Sequence, residues 1–270
     1  MAEGIRTRVM TAAVLVAILL GVVFWLPPRA TTIALTIVVL AGAWEWSAFL
    51  RVQNIATRVA YVAVIGVLMW AAWDFTANPQ GRDLVLSVAL VWWIIALAWV
   101  MFAPRLVSTW AAALAGVLAL VPAWVALNRL RLDFDRGAEW VLFALILVWV
   151  ADIGAFFVGR RFGRTRLAPN VSPGKTWEGV VGGAVASALV AVVGSMWFNI
   201  PVLRFVPLCL AVVAFSIVGD LTESLLKRFA GVKDSGSLFP GHGGVMDRID
   251  SVTGAAPILF FGLVMLGVHP

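Results

Sequence analysis

The chain has 270 residues, of which 62% are hydrophobic and only 13% charged, and its formal net charge is +6 at pH 7. A water-soluble globular domain carries about 25% charged residues, so this composition excludes one and makes a bilayer the main solvent. The basic residues are scattered between apolar runs and form no continuous groove, which argues against nucleic acid as a partner and leaves anionic lipid headgroups.

A helix crossing a bilayer core of about 30 Å needs roughly 20 mostly apolar residues. Nine such runs are predicted, in chain order near 9–26, 31–50, 59–73, 84–102, 107–127, 139–158, 179–198, 202–222 and 251–268. Blocks such as VLFALILVWV, residues 141–150, are apolar on all sides, unlike the alternating strands of a membrane barrel. The expected fold class is all-α, a polytopic membrane protein of about nine transmembrane helices. Residues 1–138 form an expected N-terminal region of about five spans, and 139–270 a C-terminal catalytic region with polar loops 159–178 and 223–250. The first run follows Arg6 and Arg8 as a signal peptide would, but WLPPRA comes after it instead of a small-x-small cleavage site, so it counts as a span. Cys209, the single cysteine, lies in an apolar run and allows neither a disulfide within the chain nor a thiolate metal cage.

Alternating the loops across nine spans places fourteen of the twenty Lys and Arg residues on one side and six on the other. The richer side is the cytoplasmic one, which predicts a cytoplasmic N-terminus and puts both long polar loops in that compartment. They can then form one site.

The densest polar stretch runs from Ser224 to Asp250, SLLKRFAGVKDSGSLFPGHGGVMDRID. Asp247 and Asp250 are three apart, on one face if they open the last helix, and two carboxylates with substrate phosphates suit a divalent cation. Upstream, Asp220, Glu223, Ser224 and Lys227 recur at three- and four-residue spacing as one polar stripe at the end of the eighth span. Asp220 reads either as a metal ligand or as half of an ion pair with Lys227 or Arg248. The glycines around His242 in FPGHGGV can aim backbone N–H groups at phosphate or simply make a turn, and His242 either donates to substrate or locks the loop.

In the earlier polar loop, Arg160, Arg161, Arg164 and Arg166 fit a topogenic signal, while SPGKTWEG, 172–179, leads into a helix whose N-terminus attracts anions. Ser172, Lys175 and Thr176 are the expected nucleotide grip there. Glu178 reads as a capping-box carboxylate or as the partner of an active-site base. Gly179, Gly183 and Ser187, at four-residue intervals, predict close packing of the seventh span. Asp152 is an in-membrane acid near the same end, suited to a substrate contact or an ion pair. Glu45, in AWEWSAF, is a similar acid in the N-terminal half, with a packing or dimer role equally open.

Written as S-x-L-K-R-x4-K-D-x-G-x2-F-P-x-H-G-G-V-x-D-R-I-D, the stretch Ser224 to Asp250 resembles the signature of the phosphatidate cytidylyltransferase family. SPGKTWEG and DIGAFFVGRRFG, Asp152 to Gly163, look like that family too, so the motifs cover the C-terminal part of the chain. The resemblance implies that CTP and phosphatidic acid react to CDP-diacylglycerol and pyrophosphate, with Mg²⁺ required and a second cation conceivable. It implies Asp220, Asp247 and Asp250 as metal ligands, and Lys227, Lys233 and Arg248, as phosphate contacts, join His242 as the further catalytic candidates. Ser172, Lys175, Thr176, Glu178, Arg228, Asp152 and Ser224 are the substrate-contact candidates. A homodimer in a bacterial plasma membrane, its site facing the cytoplasm, is the expected setting. The competing reading is a transporter of lipid or phosphate, which would place its polar groups at the bilayer midplane of repeated halves. Here they gather toward one end, and no internal repeat is evident.

Overall fold

The computed structural model describes residues 13, 14, 16–52, 54–236, 238 and 243–268. Among these, the chain runs through α1 (Val16–Trp25), α2 (Pro28–Phe49), α3 (Ile55–Phe75), α4 (Pro79–Phe102), α5 (Thr109–Asp133) and α6 (Gly137–Phe162). A short hairpin follows, β1 (Arg166–Ala168) and β2 (Ser172–Thr176), then α7 (Trp177–Phe198), α8 (Val202–Ala230) and α9 (Met246–Met265). Eight helices, α2 to α9, are long and apolar enough to cross a membrane, which makes this an all-α polytopic membrane protein. The predicted span 9–26 falls partly outside the described residues; α1 is its described part and ends in a π-helical turn, Gly21–Trp25.

Helix starts follow local side-chain chemistry. Asn78 accepts the Gly81 N–H at 2.7 Å, Ser108 that of Ala111 at 3.1 Å and Thr176 that of Gly179 at 3.1 Å, each satisfying a donor that the first turn leaves free. Pro28 and Pro79 open α2 and α4, where no backbone donor is missed. The eighth helix continues well past its apolar run because the polar stripe keeps helical spacing, and it stops at Gly231, whose φ of 75° is open to glycine. By contrast α9 has no side-chain cap of its own; Val245 precedes it.

Lipid tails are as apolar as leucine, so close packing holds a membrane bundle together more than burial does. Two cores join the halves of the chain. One gathers Leu86 and Leu130 with Trp140, Phe143, Phe205 and Phe260, and the other Trp46, Trp93 and Leu120 with Leu226 and Met246. Between α8 and α9 the backbones nearly touch: a β-carbon on Gly219 would lie 2.5 Å from the Asp250 carbonyl oxygen. The predicted stripe of α7 packs on α6, with Gly183 against the Ala151 carbonyl and Ser187 buried beneath Leu147. The opposite face of α7, Val181, Val185, Leu189 and Val193, is exposed as a lipid-facing helix should be.

SPGKT, expected in a loop, is instead a strand. Pro169 and Asn170 turn the chain so that Ala168 pairs with Ser172 and Arg166 with Thr176, antiparallel. Leu167, Ala168 and Val171 then bury themselves with Leu221, Leu225 and Val100, which seats the hairpin on the end of α8. Arg166 and Arg228 fasten it further by donating to the carbonyls of Pro173 (2.7 Å) and Val171 (3.3 Å).

Candidate active site

Because the hairpin rests on α8, the two polar stretches of the sequence meet at one end of the bundle. Lys175, on β2, makes an ion pair with Asp220 of α8, and Asp220 also accepts the Ser224 hydroxyl at 3.3 Å. Asp152 of α6 lies within electrostatic reach of Asp220, Lys175 and Arg248. Asp250 is buried, accepts the Ser251 N–H at 2.6 Å, and lies within reach of Asp220, Glu223 and Lys175. Four elements thus contribute to one cluster. It opens on a cavity of about 350 Å³ lined by the charged residues Asp152, Arg160 and Lys175 together with apolar ones that include Phe156, Val180, Val213 and Ile217.

A second group lies alongside. Lys227 pairs with the fully buried Glu223 one turn earlier and donates to Asp247 at 2.8 Å. The other oxygen of Asp247 accepts the N–H groups of Ser235 (3.1 Å) and Gly244 (2.9 Å). Asp247 therefore ties Ser235 to Gly244 ahead of α9, while Asp250, one turn on, lies within electrostatic reach of Asp220. Among the described residues no three His, Cys, Asp or Glu side chains are grouped to hold a metal ion. The expected triad of Asp220, Asp247 and Asp250 is not assembled as one ligand set; Asp220 and Asp250 are brought together, and Asp247 is engaged elsewhere.

Several expected roles come out differently. The N–H groups at the start of α9 do not await phosphate: Gly244 donates to Asp247, and Val245 and Met246 donate to Glu45. Glu178 does not close a box with Thr176; it accepts the N–H groups of Arg164 and Thr165, both at 3.1 Å, and ties the incoming loop to α7. Thr176 is the α7 cap. Ser172 begins β2 and is half-buried, Arg228 anchors the hairpin, and Lys233 is exposed in the connection after α8. His242 lies outside the described residues.

Sequence reasoning underrated Glu45. The usable signal was the run Gly243-Gly244-Val245 before α9, which supplies no side-chain acceptor for the first turn, so a helix there must borrow one.

With this geometry established, likeness to known proteins is decisive. A profile described as the cytidylyltransferase family matches residues 6–266, almost the whole chain. The chain belongs to the cytidylyltransferase family. Among its relatives are proteins named phosphatidate cytidylyltransferase from Pseudomonas aeruginosa, 42% identical with 94% of this chain and 95% of that protein covered, and from Haemophilus influenzae, 38% identical with 95% and 98% covered. A protein of the same name from Brucella suis is 34% identical over 97% of this chain and 94% of its own. As a cytidylyltransferase the chain is a nucleotidyltransferase, an enzyme that works from within a membrane. The match includes the N-terminal spans, which the sequence motifs alone did not reach.

Proposed function

We propose that the protein transfers the cytidylyl group of CTP to phosphatidic acid, releasing pyrophosphate and leaving CDP-diacylglycerol in the membrane. The observation that carries this reading is the junction of a charged cluster, Asp152, Lys175, Asp220 and Asp250, with a cavity whose walls are largely apolar. One substrate of that reaction is a polyanion and the other a lipid, so both surfaces are needed at one place. The names of the relatives support the same pair of substrates.

A phosphate oxygen of phosphatidic acid attacks the α-phosphorus of CTP, and the bond from that phosphorus to the bridging β-phosphate oxygen breaks. Phosphatidate is already ionised near neutral pH, so no strong base is required, and the barrier lies in bringing two anions together. Lys175 and the nearby Arg160 and Arg248 supply positive charge for that approach. Asp220 and Asp250 are the residues that would hold Mg²⁺, since two carboxylates plus substrate phosphates suit this ion. Bound there, it would neutralise charge on the phosphate oxygens and the leaving pyrophosphate. In this reading the site faces the cytoplasm of a bacterial cell, the source of CTP, in line with the excess of Lys and Arg on that side.

The test is product formation by purified protein in detergent, given CTP and phosphatidic acid with and without Mg²⁺ and read by mass spectrometry. CDP-diacylglycerol and pyrophosphate in equal amounts, only with Mg²⁺, are expected. No lipid product with both substrates and the metal present would overturn the reading.

A further inference from the structure

Glu45 belongs to α2, far in sequence from the charged cluster, and is 8% exposed. One of its oxygens accepts the Val245 N–H at 3.0 Å; the other accepts the Met246 N–H at 2.8 Å and the Ser235 hydroxyl at 2.8 Å. Those two amides open α9, whose preceding residues offer no cap. A carboxylate at this position satisfies orphan donors and sits at the positive end of the helix dipole.

The surrounding backbone is shaped for that carboxylate. A β-carbon on Gly236 or Gly244 would collide with a Glu45 oxygen, so a side chain at either position would push the carboxylate from the place it now occupies. Ser235 links it to the site, because its hydroxyl donates to Glu45 and accepts the Asp247 N–H at 3.3 Å. Asp247 in turn grips the Ser235 and Gly244 amides and meets Lys227. Glu45, Ser235 and Asp247 therefore bracket the start of α9 from both sides, and Arg248 and Asp250 extend from that start.

We propose that Glu45 is a positioning residue for cytidylyl transfer: it is the remote N-cap of α9 and sets Asp250 against Asp220 and Lys175. The kinetic part of this proposal rests on the reaction assigned above; the capping part does not. Glutamine at 45 keeps the size but offers one acceptor oxygen, and its amide N–H groups oppose the donors of Val245, Met246 or Ser235. Aspartate keeps the charge and falls one methylene short. Since a misplacement of about 1 Å can cost 10²-fold in rate, Glu45→Gln should lower kcat by at least about tenfold. Its KM for CTP and for phosphatidic acid should stay within about twofold, because Glu45 touches neither substrate cluster directly. Glu45→Asp should recover part of kcat.

Both variants and the parent protein would be purified as monodisperse detergent complexes and compared in two ways. Steady-state kinetics are expected to show the kcat loss with partial recovery in Glu45→Asp; a Glu45→Gln protein with parental kcat would overturn the proposal. Hydrogen exchange, measured without substrates, should lose protection in the peptide covering 243–250 for Glu45→Gln while α6 and α7 keep theirs. Unchanged protection there would overturn it as well, whatever the kinetics. If the parent makes no product but exchange responds as expected, the assigned reaction falls and the cap stands.

Discussion

At the scale of single residues, the site concentrates negative charge where the fold alone has no use for it. Asp250 is buried near Asp220 and Glu223. Like charges gathered away from water oppose folding, and such strain is expected where function requires it. Asp250→Asn should therefore separate stability from activity: turnover is lost, while stability rises by roughly 1 kcal/mol as repulsion is relieved. Asp247→Asn should behave otherwise, losing stability, because the carboxylate shared by Lys227 and two backbone amides is weakened by about 1–3 kcal/mol. Thermal melting in detergent beside a turnover assay distinguishes the two; a destabilised Asp250→Asn would show that its charge is structural. The stripe Asp220, Glu223, Ser224 and Lys227 was legible because helical spacing is a property of the chain itself. That Asp247 turns toward the connection while Asp250 turns toward α8 was not, since the choice is made by amides of Ser235 and Gly244 that only the folded loop brings near.

Among the elements, the contact of α8 with α9 decides how far apart Asp220 and Asp250 sit. Gly219 precedes Asp220, and a β-carbon there would lie 2.5 Å from the Asp250 carbonyl and 3.4 Å from the Gly254 nitrogen. Backbone cannot yield as a flexible side chain can, so Gly219→Ala must push the helices apart, at a cost of about 1–3 kcal/mol typical of overpacking. We expect it to lower both the melting temperature and turnover. Gly21→Ala, in open space, should leave the melting temperature unchanged or slightly raised and serves as the control. Equal melting of the two variants would mean that the bundle relaxes freely at this crossing. The stripe Gly179, Gly183 and Ser187 could be read from sequence because it repeats along one helix. Gly219 and Gly254 are single residues on different helices, and no periodicity ties them together. The hairpin escaped for a related reason: its strands are only three and five residues long, too short to show a period, and what stabilises them is the seat that Leu221 and Leu225 provide on α8.

For the whole molecule, apolar run length alone was enough to locate the eight long helices α2 to α9, but not to show how the N-terminal half buttresses the site. Nothing near Glu45 announces that its partners lie about two hundred residues away. Direction, however, can be tested on the folded bundle. The hairpin and the start of α9 share one end, held by Lys175 with Asp220 and by Lys227 with Asp247. At the other end Arg136, which precedes α6, donates to the Trp197 carbonyl at 2.8 Å, and Trp197 donates to Glu139 at 2.6 Å. Cys209 is the single cysteine and is buried, so a Cys209→Ala background leaves no native thiol to label. Asn170→Cys and Asp234→Cys mark the first end, and Asp135→Cys and Asn199→Cys the second, all at exposed positions. Most Lys and Arg lie at the first end, so a membrane-impermeant maleimide added to intact cells should modify positions 135 and 199 only. Positions 170 and 234 should react once the membrane is opened. Labelling of 170 and 234 from outside would reverse the orientation and remove the site from its CTP supply, and labelling of 170 together with 199 from outside would contradict α7 as a helix that crosses the membrane.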